Sequence, residues 1–380
     1  MSQPITQRKV FYLAGFDPRP SQFYYDLFVR EFTQWSTTND KKTALSDLNT
    51  DDADEHTFRV NNATDKVDTE FSFLNWNHVV SPYWNIATLS LVYYFLRYYL
   101  STLKHSNWSH ISSLGKNSIQ AYILPLIFIV AGTLGSCLLL NILFDFLLGD
   151  HNYLLLKIAC SIGVLGLVTY VLMKKIKPLW ILRAMAFNYR VFPDEDGPLM
   201  QHLDTLAQKV YLELTNHAEQ YDEVLLMSHS FGTILAPIIM NKVNALNNYN
   251  PLPTNFTLVT LAQQSPNITC YNKAIPFQRH YQELSAKSPA FDWLDISSPA
   301  DGICFYACNP FAPICDEGRI ALHYKSPRFH AMYSKESYAH IKKNRFLLHF
   351  KYLYAHEMNS PTNYFQLVTG NQSIKRLCND

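Results

Sequence analysis

Two long apolar runs in the middle of the chain restrict its fold more than any other feature. "AYILPLIFIVAGTLGSCLLL" covers 121–140, and "YLLLKIACSIGVLGLVTYVLM" covers 153–173 with one charge, Lys157, near its start. About 20 apolar residues is the length a bilayer core demands, and a lysine near a helix end can snorkel to the interface. Each run is apolar all round rather than along one stripe, which separates a membrane span from an amphipathic surface helix. Small residues recur in both runs (Gly132, Gly135, Ser136; Gly163, Gly166) and allow two helices to approach closely. The expectation is a transmembrane hairpin with spans over about 119–148 and 153–174.

The flanks orient it. Lys104 and Lys116 precede the first run, and Lys174, Lys175, Lys177 and Arg183 follow the second, whereas the connecting turn offers Asp150 and Lys157. The positive-inside rule puts both termini and the flanking segments on the cytoplasmic side of a cell inner membrane. The N-terminal stretch has no apolar core before a cleavage site, so a secretory signal peptide is not expected. Upstream, the Tyr-rich 83–103 carries one Arg97 and reads as an interfacial helix, with a third span or a helix packed on the soluble part as alternatives. The organisation expected is then 1–80 and 186–380 as two parts of one soluble domain, with 81–185 as the membrane insertion.

The soluble parts alternate short apolar runs with helical spacing, as a mostly parallel sheet covered by helices requires. "KVFYLAG", "DTEFSFLNW", "DEVLLMS", "NFTLVTLAQQSP", "AFDWLDISSPAD" and "RIALHYKSP" read as strands. "SQFYYDLFVREFTQW", with Ser21 as cap, "GPLMQHLDTLAQKVYLELTNHAEQY" and "FGTILAPIIMNKVNAL" read as helices. The polar 36–54 reads as an exposed loop. A net charge of +1 gives no electrostatic footprint for nucleic acid. Of the seven Cys, Cys304, Cys308 and Cys315 cluster, yet no partner at finger-like spacing completes a zinc site. They read as ordinary thiols, and neither a metal nor a cofactor is expected.

One strand-to-helix junction carries chemistry. "DEVLLMS" runs into Ser228-His229-Ser230-Phe231-Gly232 and then into a helical run. That is the layout of a nucleophile elbow. The central serine sits on a sharp turn, so the residues two before and two after must be small. Ser228 stands where glycine is usual, and Gly232 meets the requirement on the other side. The free N–H groups of the following helix point at the same place.

With "FYLAGFDPRP", "LLMSHSFGT", "LVTLAQQSP", "DISSPAD" and "NRFLLHFKYLYA", the chain resembles the α/β-hydrolase superfamily, and within it bacterial membrane-associated, lipase-like serine hydrolases of unassigned substrate. The resemblance covers most of the soluble part. It implies an α/β-hydrolase-like sheet interrupted by the hairpin, and a triad in the order Ser, acid, His. Ser230 would be the nucleophile. Asp301 would be the acid, with Asp295 and Asp292 as weaker candidates. His349 best matches the family pattern for the base, with His330 as the alternative, while His229 points the wrong way. The oxyanion hole would use the N–H of Phe231 and that of Gly15 or Phe16. Asp17 and Arg19 in the same early loop read as a turn ion pair. The implied activity is cleavage of an apolar acyl ester or thioester drawn from the lipid bilayer. Transfer to an alcohol, or a non-catalytic membrane interaction module on the same fold, are the alternatives.

Overall fold

The structure, a computed structural model, describes residues 4–114, 178–252 and 255–379, with isolated helical positions between 135 and 163. The two runs expected to span the membrane therefore lie outside the described residues but for those positions. Among the described residues no helix is long and apolar enough to cross a membrane.

An eight-stranded sheet organises the chain. Its strands are β1 (Gln7–Leu13), β2 (Thr43–Leu45), β3 (Glu55–Asn62), β4 (Val67–Leu74), β5 (Glu223–His229), β6 (Phe256–Leu261), β7 (Phe291–Ile296) and β8 (Ile320–Lys325), in the order β2-β3-β4-β1-β5-β6-β7-β8. β4, β1 and β5 to β8 pair in parallel, while β2-β3 and β3-β4 are antiparallel. The sheet is covered by α1 (Ser21–Thr38), α2 (Asn77–Trp84), α3 (Thr88–His105), α4 (Pro178–Val191), α5 (Pro198–Asn216), α6 (Gly232–Leu246), α7 (Ile275–Lys287), α8 (Lys335–Lys343), α9 (Arg345–Phe350), α10 (Tyr364–Thr369) and α11 (Ile374–Asn379).

Strand alternation divides the interior into two cores. Phe11, Leu13, Leu226 and Trp293 face one core with α2 to α7, whereas Val10, Tyr12, Leu225 and Leu294 face the other with α1 and α8 to α11. Because both faces are covered, the central strands are mostly apolar, as buried parallel strands tend to be. Every residue of β5 and β6 is buried. Truncating a core residue such as Leu226 to Ala removes contacts on a face that cannot collapse, at a cost of about 2–5 kcal/mol. A buried ion pair ties the ends together. Arg8 donates through Nε to Glu223 at 2.9 Å and through Nη1 to the carbonyls of Val368 and Gly370 at 3.1 and 2.7 Å. Glu223 also accepts from the Ser373 hydroxyl and the Ile374 N–H, each at 2.8 Å, so neither buried charge is left bare.

Several expectations are corrected. The polar 36–54 contains β2, and β3 follows it where no strand was expected. Both pair at the sheet edge, where no residue of β2 and only part of β3 is buried and the apolar signal is weak. Ser21 does not cap α1. Pro20 holds the cap position, and the Ser21 hydroxyl meets Nδ1 of His56 instead. The region 83–103 is split at Asn85 between α2 and α3. α3 packs on α4 with Phe95, Tyr98 and Tyr99 buried, so one face of it is packed against the rest of the protein. α4 runs through the boundary expected at 185, and its Ala186 and Phe187 are core residues.

Candidate active site

The carboxyl ends of β1, β5 and β7 meet at one place, and parallel pairing is what aligns them. At the end of β5 the chain turns through Ser230, whose φ is 54°. A non-glycine residue held in the left-handed region stores strain, and here the surroundings enforce it. The Ser230 N–H donates to the Leu261 carbonyl at 2.9 Å, and its own carbonyl accepts from the Thr233 N–H at 2.9 Å and the Thr233 hydroxyl at 2.6 Å. A Cβ at Gly232 would lie 2.5 Å from the Leu13 carbonyl oxygen and 2.7 Å from that of Ala14, so no larger residue fits. Ser228 is tolerated in the strand, but its buried hydroxyl has no hydrogen-bond partner among the described residues.

The turn presents Oγ of Ser230 to Nε2 of His349 at 2.8 Å, and Nδ1 of the same ring lies 2.8 Å from Oδ2 of Asp301. A carboxylate can only accept, so Nδ1 carries the proton and Nε2 is left to accept from the serine hydroxyl. The three groups come from different elements: the end of β5, the loop after β7, and α9. α9 is started by Asn344, whose side chain accepts from the Leu347 N–H at 3.0 Å, and this fixes the turn on which His349 sits. All three are buried, His349 and Asp301 within an interior that screens little.

Burial alone would raise the Asp301 carboxyl. The His349 imidazole and the hydrogen bonds from it and from the Ile303 N–H (3.0 Å) outweigh that effect and hold the group below its ordinary range. His229 has the opposite role. Burial, reinforced by the neighbouring His349, pushes its pKa down to about 3. It is therefore neutral, and its Nε2–H donates to the His349 carbonyl at 2.9 Å. It positions the helix that carries the other histidine and does not reach Ser230.

The early loop completes the site. A Cβ at Gly15 would stand 3.0 Å from Cβ of Ser230, so the loop backbone lies against the serine. Two indoles hold that loop by its carbonyls: Trp76 Nε1 donates to Ala14 at 3.0 Å, and Trp180 Nε1 donates to Phe16 at 2.9 Å. The Phe16 and Phe231 rings meet at a tilt with centroids 6.2 Å apart, so the two segments offered as oxyanion donors lie side by side. Asp17 and Arg19 form the expected ion pair, bonded at 2.9 and 2.8 Å through Nε, and the Tyr24 hydroxyl also donates to Asp17 at 2.8 Å.

The alternatives lie elsewhere. His330 is exposed beside Tyr338. Asp292 pairs with Nε2 of His323 at 2.9 Å. Asp295 is buried in β7 and accepts from the Thr260 and Ser297 hydroxyls at 2.8 and 2.7 Å. Among the described residues, the donors that converge as metal ligands would are Asp292, His323 and Cys378, outside the Ser230 site and with Lys375 at 4.0 Å from Asp292. Sequence reasoning missed Trp76, Trp180 and Thr233. For Thr233 the signal was present, a hydroxyl in the first turn after the elbow. For the two tryptophans there was none, since their partners are backbone carbonyls remote in sequence.

An ordered line of carboxylate, imidazole and hydroxyl can remove the hydroxyl proton as the oxygen attacks an electrophile. Comparison with known proteins returns no matching family model, no matching curated protein and no matching solved structure.

Proposed function

We propose that the chain is an α/β-hydrolase-type serine ester hydrolase anchored in a membrane by the hairpin of 119–148 and 153–174. The observation that carries the chemistry is the continuous line Ser230–His349–Asp301, with both hydrogen bonds at 2.8 Å.

The mechanism follows from proton positions. Asp301 keeps Nδ1 of His349 protonated, which leaves the lone pair of Nε2 on the Ser230 hydroxyl. As Oγ attacks an ester or thioester carbonyl, the proton moves to Nε2, and Asp301 stabilises the resulting imidazolium. Negative charge grows on the carbonyl oxygen. The N–H of Phe231 and that of Gly15 or Phe16 are the donors nearest to hand for it. Collapse of the tetrahedral species expels the alcohol or thiol, which takes the proton from Nε2. Water then attacks the acyl-enzyme by the same route, and His349 returns the last proton to Ser230. No step calls on a metal or an organic cofactor.

The membrane part of the proposal rests on the two apolar runs and their lysine flanks. It places the site on the cytoplasmic side of the inner membrane and makes lipid-borne acyl esters the natural substrate class. A fluorophosphonate probe tests the chemistry. It should label the full chain in its membrane and leave Ser230→Ala unlabelled with the fold intact. An unlabelled parent chain would remove the enzymatic reading and favour an interaction module.

A further inference from the structure

The helix pair that delivers His349, with the segment leading into it, carries a one-sided charge. From 325 to 345 the chain carries Lys325, Arg328, Lys335, Lys342, Lys343 and Arg345 against one acid, Glu336, although the whole chain is balanced at +1. All but Lys325 are exposed, and none of these exposed cations forms an ion pair with a described residue. The nearby Glu357 is engaged by the Ser334 N–H at 2.6 Å. Several basic side chains elsewhere are paired: Lys9 with Glu70, Lys41 with Asp65, Lys209 with Asp52, and Arg279 with Glu195. Cations left unpaired on one face attract a partner of opposite charge.

A second observation specifies the partner. α3 buries one face and turns Tyr93, Leu96 and Leu100 outward, at 55%, 51% and 63% exposure and at spacings of three and four. An apolar stripe beside basic groups is what an interfacial helix presents to lipid. The stripe and the cations are joined through α4. α3 packs on α4, and Trp180 in the first turn of α4 meets Phe346 of α9 edge to face at 5.5 Å. α4 also begins just after the second apolar run, so the chain returns from the proposed hairpin at the same rim.

We infer that α3 and the α8–α9 pair form one docking surface for an anionic bilayer leaflet. The stripe enters the headgroup boundary, and the cations pair with phosphodiester groups. This inference rests on the membrane part of the proposed function and deepens it. The reacting serine then works against an acidic lipid surface, and esters of acidic lipids are the substrates concentrated there.

The test is lysine labelling of the full chain, read residue by residue by mass spectrometry. The chain is reconstituted into discs of phosphatidylcholine alone or of phosphatidylcholine with phosphatidylglycerol. Acylation of Lys335, Lys342 and Lys343 is expected to slow by about tenfold in the anionic discs and to recover in high salt. Lys66, exposed in the turn before β4 at the opposite end of the sheet, should react equally in both. In Arg328→Glu/Arg345→Glu the protection of Lys342 and Lys343 should fall. Equal labelling in the two discs overturns the docking surface alone, as does protection by duplex DNA but not by anionic discs. A chain recovered outside both kinds of disc overturns the membrane reading and the docking surface together. Fluorophosphonate labelling of Ser230 reports the chemistry independently of all these outcomes.

Discussion

Asp295 and Asp301 lie close together in the chain, one in β7 and one in the loop that follows it, and both are 2% exposed. They behave as opposites. Asp295 meets two hydroxyls, and burial pushes its pKa up to about 7 against the partial relief those hydroxyls offer. Asp301 meets an imidazole and a backbone N–H, and it is held below the ordinary range in spite of its burial. Neutral donors soften the cost of a buried charge, whereas a group able to become cationic reverses it. The comparison identifies which of the two can stabilise an imidazolium. It also shows that burial by itself does not mark a catalytic acid.

The largest expected effect tests that contrast directly. Asp301→Asn should slow acylation of Ser230 by about 10⁴-fold, through loss of the correct tautomer, as measured by fluorophosphonate labelling rates. Asp295→Asn should leave the rate near that of the parent. Equal losses in the two variants would erase the distinction.

The next effect is on stability and has a defined pH window. Asp295 has a folded pKa of about 7 against an ordinary 3.8. Its contribution is therefore complete below the ordinary value and is lost as pH rises through the folded one. Asp295→Asn, which cannot ionise, should melt at a higher temperature than the parent at about pH 8, by a gain of up to about 4 kcal/mol, and should match it near pH 4. A constant difference at both pH values would show that the carboxyl does not titrate there.

The third effect concerns the paired carboxylate. His349→Ala leaves Asp301 buried without its partner and should destabilise the fold by about 3 kcal/mol. His349→Ala/Asp301→Asn, which removes the orphaned charge, should regain part of that loss in thermal melts. Additive losses would mean that the pair is not electrostatically coupled.

Much of this arrangement was readable before any coordinates. β1 and β4 to β7 announced themselves because strands inside a covered sheet carry apolar runs, and the edge strand β8 still showed as a short apolar segment. β3 did not, since in EHTFRVNN only Phe58, Val60 and Asn62 are buried and the remaining positions are polar and partly exposed at the sheet edge. The turn at Ser230 was legible from small residues beside a strand and a helix. Asp301 was favoured over Asp295 by its place on a loop after a strand, whereas five histidines follow Asp301 in the chain and only the family resemblance favoured His349 among them.

What the sequence determined by itself was local: the alternation of strands and helices, the tight junction at Ser228 to Gly232, and the two apolar runs. These depend on periodicity and side-chain size over a few residues, which folding does not rewrite. Tertiary structure brought His349, which the resemblance had only favoured over His330, to Ser230, and it alone decided that His229 serves as a brace and that Trp76 and Trp180 hold the early loop. Those choices join groups far apart in the chain. Which of several chemically equivalent side chains arrives depends on how helices pack on the sheet, and no short stretch of residues encodes that outcome.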